Sequence, residues 1–171
     1  MNRSIRMLAA IAIPVIVLTF SCLATAQKVI GNQEIEIRVA NEKFYSALNS
    51  MFKGELEPMN EIWSHGSDVT DLGPFGDRLV GWDDVGNEFK REAAMKLGGK
   101  VVCKDLLIYA GNEMGYTVCV EEGENMDAGG KPVVVKFRAT NIFQLQNGKW
   151  KLVHHHTDLS APLQNATEEK N

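Results

Sequence analysis

Basic clusters are missing from this 171-residue sequence. Lys and Arg number 18 against 22 Asp and Glu, for a net charge of −4, and they gather nowhere into a stripe that could follow a phosphate backbone. No nucleic-acid partner is expected. Cysteine is scarce as well: there are three, and Cys22 falls in the first segment. The other two, Cys103 and Cys119, are too few to be the main scaffold of a domain. Long apolar runs are confined to Met7–Phe20, which is short for a bilayer span of about 20 residues and has no charged stop-transfer flank. The mature chain is therefore expected to have no membrane span. No repeat or second domain shows, no cofactor is expected, and the length suits one domain.

What is present begins with a targeting signal. Arg3 and Arg6 precede the apolar run, and Ala24-Thr25-Ala26 supplies the small-residue pattern that signal peptidase reads. Residues 1–26 are expected to be a signal peptide cleaved after Ala26, which makes the protein secreted or periplasmic. A rival reading lipidates Cys22, although Thr19 stands where a lipobox prefers an aliphatic residue. Residues 27–160 then form the domain and 161–171 a polar tail, in which Asn165-Ala166-Thr167 matches a glycosylation sequon. Apolar residues at 44% and charged residues at 23% suit a packed core with a solvated surface.

Periodicity predicts α+β order. Ile37, Ala40, Phe44, Ala47, Leu48 and Met51 make one helical stripe over Asn32–Phe52, with Asn32 as cap and Gly54 as stop. A short helix is predicted over Glu55–Ile62, a short strand over Val69–Leu72, and a third helix over Trp82–Leu97, ended by Gly98-Gly99. Strands follow: Val101–Ala110, Met114–Glu121, Val133–Gln146 and Trp150–Thr157, with Glu122–Lys131 as a loop.

The last hairpin can be read in detail. Asn147-Gly148 is the residue pair that a type I′ turn favours. It sets Leu145 opposite Trp150, Phe143 opposite Leu152, Asn141 opposite His154 and Ala139 opposite His156. Side chains alternate across a strand, so these residues share the core face and His155 faces away. For the cysteines, the turn near Gly111-Asn112 leaves two registers open. One sets Cys103 opposite Cys119, where a disulfide would form; a two-residue turn sends them to opposite faces.

The segment FYSALNSMFKGELEPMNEIWSHGSDVTDLGP, then VGWDDVGNEFKRE, then RATNIFQLQNGKWKLVHHHTDLS, resembles the SnoaL-like branch of the NTF2-like superfamily over about residues 33–160. The resemblance implies an NTF2-like cone, in which a curved antiparallel sheet wraps a long N-terminal helix and leaves a pocket at the wide end. Relatives of that kind include isomerases, cyclases, dehydratases and the association domain of calmodulin-dependent kinases.

Candidate site residues follow from these readings. His154 and His156, on the expected core face, are candidate acid–base residues, since an imidazole exchanges protons near physiological pH. The alternative is two structural histidines bonded to Asn141, Trp63 or backbone. The resemblance places Asp71 at the pocket, where a carboxylate in an apolar cavity is a candidate base; it can equally cap the Gly73-Pro74 turn. Tyr45, Trp63, His65, Phe75, Trp82 and Asn141 are candidate ligand contacts. A metal held by His154 and His156 would need a third ligand from His65 or Asp71, and no spacing fixes one, so no metal is expected. Two functions stay open: a pocket for a small hydrophobic molecule or an assembly module, acting as a homodimer, and a small isomerase, lyase or hydrolase using pocket His and Asp.

Overall fold

A computed structural model describes residues 14–159 except Phe75 and Ala128, with side chains from residue 31 onward. The first half of the expected signal peptide, Phe75, the polar tail and its sequon lie outside the described residues. Among the described residues, no helix is long and apolar enough to cross a membrane.

The apolar stripe does what its spacing requires. Ile37, Ala40, Phe44, Ala47 and Met51 are all buried, which seats helix α1 on the sheet. α1 spans Pro14–Met51, so Asn32 does not cap it. Asn32 lies inside a continuous helix and donates to Glu36 Oε1 at 2.7 Å, one turn on. Gly54 ends the helix as expected: its φ is 97° and its N–H returns to Met51 O. Helix α2, Glu57–Ile62, tolerates Pro58 because it falls in the first turn.

Strand β1, Thr70–Leu72, pairs with an unanticipated strand β2, Arg78–Val80; three residues are too few for alternation to be read. Helix α3, Trp82–Met95, carries Asp83 and Asp84 in its first turn and buries Val85, Phe89 and Ala93. It stops short of Gly98-Gly99 because Lys96 already takes the left-handed conformation, at φ 48°. Four long strands follow: β3, Lys100–Ala110; β4, Met114–Met126; β5, Pro132–Gln146; and β6, Lys149–Leu159. The stretch from Glu122 to Met126 is strand, not loop, because both β3 and β5 pair with it there. The Gly and acid content of that stretch misleads, since two ladders override its low strand propensity.

The strand order is β2-β1-β6-β5-β4-β3. Neighbours are antiparallel except β1 and β6, which run parallel, so the sheet is mixed where an antiparallel one was expected. The curved, open sheet wraps α1 in the expected cone. At Gly115 it comes close to the helix: a Cβ there would lie 2.1 Å from Ile37 Cδ1. Phe137, Phe143, Trp150 and Leu152 share one buried cluster with Phe44, and Leu48 packs against it, as the hairpin reading requires.

The hairpin register holds only part of the way. Asn147 and Gly148 have positive φ, 50° and 75°, and Leu145 faces Trp150 and Phe143 faces Leu152. Then the register shifts: Ile142 faces His154, and Val153 is the extra residue of a β-bulge. Asn141 therefore faces His155, and Ala139 faces Thr157. The expected inward placement of His154 and His156 is overturned. His155 and Thr157 are buried, His154 is half-buried on the outer face, and His156 is exposed. The cause lies on the other edge of β6. Trp63 bridges to Leu152, Ser64 N–H donates to Leu152 O at 2.9 Å, and β1 pairs with His154–His156. A strand held from both sides takes up the mismatch as one extra residue, and one residue is enough to exchange its faces.

The cysteine register is also neither of those considered. Ala110 pairs with Gly115, and a second bulge lies between Lys104 and Leu107. Cys103 thus faces Glu121, with Cys119 diagonal to it on the same face, and both thiols are free.

Candidate functional site

Between α1, α3 and the concave side of the sheet lies a cavity of about 360 Å³. Phe44, Leu48 and Met51 of α1 form one wall, Met59 and Trp63 a second, Phe89 and Glu92 of α3 a third. The sheet contributes Asp71 from β1, Glu121 from β4, Val135 and Phe137 from β5, and His155 and Thr157 from β6. Asp71 and His155 are register partners on neighbouring strands, and both line the cavity.

A chain of hydrogen bonds behind this wall fixes His155. Asn41 Oδ1 accepts from Thr117 Oγ1 and from Asn141 Nδ2, each at 2.9 Å. Asn141 therefore turns its own Oδ1 to His155 Nδ1, 2.6 Å away, which makes that nitrogen the protonated one. His155 Nε2 is left with its lone pair, 3.9 Å from Glu121 Oε1. Burial, then the nearby His154 and His156 charges, lowers the His155 pKa to about 3, so the ring is neutral at physiological pH. Tyr45 donates to Glu121 Oε1 at 3.0 Å and meets Cys119 Sγ at 3.3 Å. Its hydroxyl is held well above the usual tyrosine range by burial and then by the Glu121 charge.

The cavity carboxyls are raised as well. Burial raises Asp71 to about 8, with the charges of Glu92, Glu88 and Glu121 adding to it. Burial raises Glu121 to about 7 against the lowering effect of the Tyr45 hydrogen bond. Burial and the Glu88 charge raise Glu92 to about 7. Near neutral pH the cavity thus holds protonated or half-protonated acids beside a neutral imidazole, a set able to give and take protons.

Several buried polar atoms have no partner. Among the described residues these are Gln33 Oε1, Trp63 Nε1, Asp71 Oδ1, Asn125 Oδ1 and Thr157 Oγ1. All but the first belong to residues that line the cavity. An unmade bond at a buried polar atom costs about 1–3 kcal/mol, and four of these five atoms belong to residues of this one wall.

The expected site residues divide. Asp71 and Trp63 stand on the cavity wall. Tyr45 and Asn141 are buried behind it and act through Glu121 and His155, so the Tyr45 hydroxyl does not reach the mouth. His65 is exposed and stacks on Trp82 at 4.0 Å in a separate groove by α2 and α3. His154 Nδ1 meets Thr70 Oγ1 at 2.6 Å, outside the cavity. Sequence reasoning missed His155, Thr157, Glu121 and Glu92. Glu121 had a signal: it alternates with Thr117 and Cys119 on the face that meets α1. Among the described residues, no group of three or more His, Cys, Asp or Glu could hold a metal ion.

The sequence model of the family described as "SnoaL-like domain" matches residues 37–164. No curated protein matches the chain. Solved structures do. One, assigned as a dehydratase of the NTF2-like family from Streptomyces avermitilis, has a TM-score of 0.67 at 22% identity, covering 76% of this chain and 97% of that one. An NTF2-like superfamily protein from Salmonella enterica has a TM-score of 0.65 at 13% identity, covering 77% and 94%. A chain assigned as a calcium/calmodulin-dependent protein kinase II association domain, from Xanthomonas campestris, has a TM-score of 0.61 at 17% identity, covering 74% and 86%. At these identities the likeness is one of fold.

The buried acids have a consequence for stability. The folded pKa of Asp71 lies above its ordinary value of 3.8, and that of Glu121 above 4.5. Their stabilising contribution is complete below the ordinary values and is lost as pH rises through about 8 and about 7. Each proton difference gives a slope of about 1.4 kcal/mol per pH unit. Urea unfolding between pH 4 and pH 8 should show Asp71→Asn losing stability less steeply than the natural protein. Equal slopes would place the Asp71 carboxyl in water.

Proposed function

From the premise that this chain belongs to the SnoaL-like domain family, we propose that its cavity binds a small, largely apolar molecule. The observation that carries this reading is the set of unpartnered atoms, Trp63 Nε1, Asp71 Oδ1 and Thr157 Oγ1, on otherwise apolar walls. The cavity's 360 Å³ falls within the range of about 300–1,000 Å³ usual for small-molecule sites. Apolar contact supplies most of the affinity, while the indole N–H, the hydroxyl and the carboxyl orient the guest.

A second reading is acid–base chemistry on the bound molecule. The pairing of Asp71 with His155 across β1 and β6 favours it. In this reading Asp71 is the proton donor and His155 or Glu121 the acceptor. His154 and His156 take no part.

Binding can be tested with prodan, a neutral naphthalene ketone whose emission shifts to the blue in apolar surroundings. Saturable one-to-one binding with a blue shift is expected. Val135→Trp, which fills the cavity, should weaken it by at least about tenfold, or about 1.4 kcal/mol. No shift, or no effect of Val135→Trp in a folded variant, would remove the reading.

We also propose that the protein forms a homodimer through the outward face of the sheet. Leu107, Tyr109 and Tyr116 are exposed there, and the two tyrosine rings stack at 4.5 Å. Exposed apolar groups gathered on one face are the usual mark of a contact surface. Sedimentation velocity should show a dimer that Tyr116→Glu dissociates; a natural protein that stays monomeric at high concentration would contradict this.

A further inference from the structure

Any charge that develops inside the cavity has one sign. Among the described residues, four carboxyl residues line it, Asp71, Glu92, Glu121 and Asp127, and no Lys or Arg does. Arg91, beside Glu92 in α3, is turned to solvent and paired with Glu88. His155 supplies no compensating charge, because Asn141 and its burial hold it neutral. An anionic guest would therefore meet no cationic donor, and each acid that ionises would repel it. A neutral guest could satisfy Trp63 Nε1 and Thr157 Oγ1, yet would leave any ionised carboxyl buried without a counter-charge, which is costly.

The second observation is independent of the acid count. Asp71 is only 7% exposed, and its Oδ1 has no partner although the residue lines the cavity. A buried carboxylate oxygen accepts and does not donate when ionised, so its natural partner is a positively charged donor. The walls around it include the aromatic rings of Phe44, Trp63, Phe89 and Phe137, whose faces also attract cations. A bare metal ion is a poor fit, as no three-residue ligand group exists among the described residues.

We propose that the cavity is selective for an apolar molecule carrying a protonated amine, with the amine set against the Asp71 carboxyl and an acceptor atom within reach of Trp63 Nε1. This rests on the reading that the cavity holds a small molecule, and it goes further by choosing the ligand's charge. The cation replaces the missing counter-charge, and Asp71 binds it as the carboxylate.

Three indoles test the idea: tryptamine, tryptophol and indole-3-acetate share one ring system and end in a cation, an alcohol and an anion. Calorimetric titration of the whole protein at pH 7.5 should rank them in that order, with tryptamine at least about tenfold tighter than indole-3-acetate. The isosteric Asp71→Asn should weaken tryptamine by about tenfold and change tryptophol by less than about twofold. A cooperative urea transition in the same variant shows that it is folded. Indole-3-acetate binding as tightly as tryptamine would overturn the proposal. So would tryptophol matching tryptamine, or Asp71→Asn leaving tryptamine unchanged. If prodan binds and none of the indoles does, the amine preference fails while the binding reading stands. If prodan does not bind either, the binding reading fails and takes the amine with it.

Discussion

Strand β6 has to satisfy two neighbours that ask for different registers. On one edge, the tight Asn147-Gly148 turn ties it to β5; on the other, Trp63, Ser64 and β1 hold it at Leu152 and at His154–His156. Both ladders can be complete only if β6 carries one extra residue, and Val153 is that residue. Much of the site depends on this. The bulge turns His155 and Thr157 toward α1, brings Asp71 beside His155, and sends His154 and His156 outward. Without it, two imidazoles would line the cavity in place of one imidazole and one hydroxyl.

The inward imidazole is tolerated because its bonds are arranged in advance. Asn41, placed on the buried side of α1, orients Asn141, and Asn141 orients His155. Each amide in that chain uses its oxygen as acceptor and its nitrogen as donor, so the ring has one tautomer and no need of a charge. The buried acids are treated differently. Glu121 receives one hydrogen bond from Tyr45, while Asp71 keeps a free oxygen. The polar groups behind the wall are thus paired, and those on the wall retain capacity for something else.

The fold was largely legible because its signals are local or strictly periodic. The α1 stripe from Ile37 to Met51, the Gly54 stop and the Asn147-Gly148 turn each state their structure within a few residues, and the motif order placed the chain in its superfamily. The site was less legible because it depends on contacts distant in sequence. Nothing near Val153 announces a bulge; the cause is a strand some 80 residues earlier. The same holds for Glu121, which gains its surroundings from Tyr45 on α1. Asp71 could be found because the resemblance places its short strand at the pocket, and Trp63 because it stands at the end of α2. His65 and Trp82 stand apart from the cavity, because they stack on each other across the ends of two helices in a groove of their own.

The central claim is that His155, and not its neighbours, points into the core on Asn141. Long-range proton–nitrogen correlation spectra of the imidazoles, recorded from pH 5 to pH 8, test it directly. His155 should remain neutral with Nδ1 protonated throughout, in keeping with a pKa lowered to about 3. A His155 ring that titrates near about 6.5, the value for an imidazole in water, would contradict the bulge, the register and the cavity built on them.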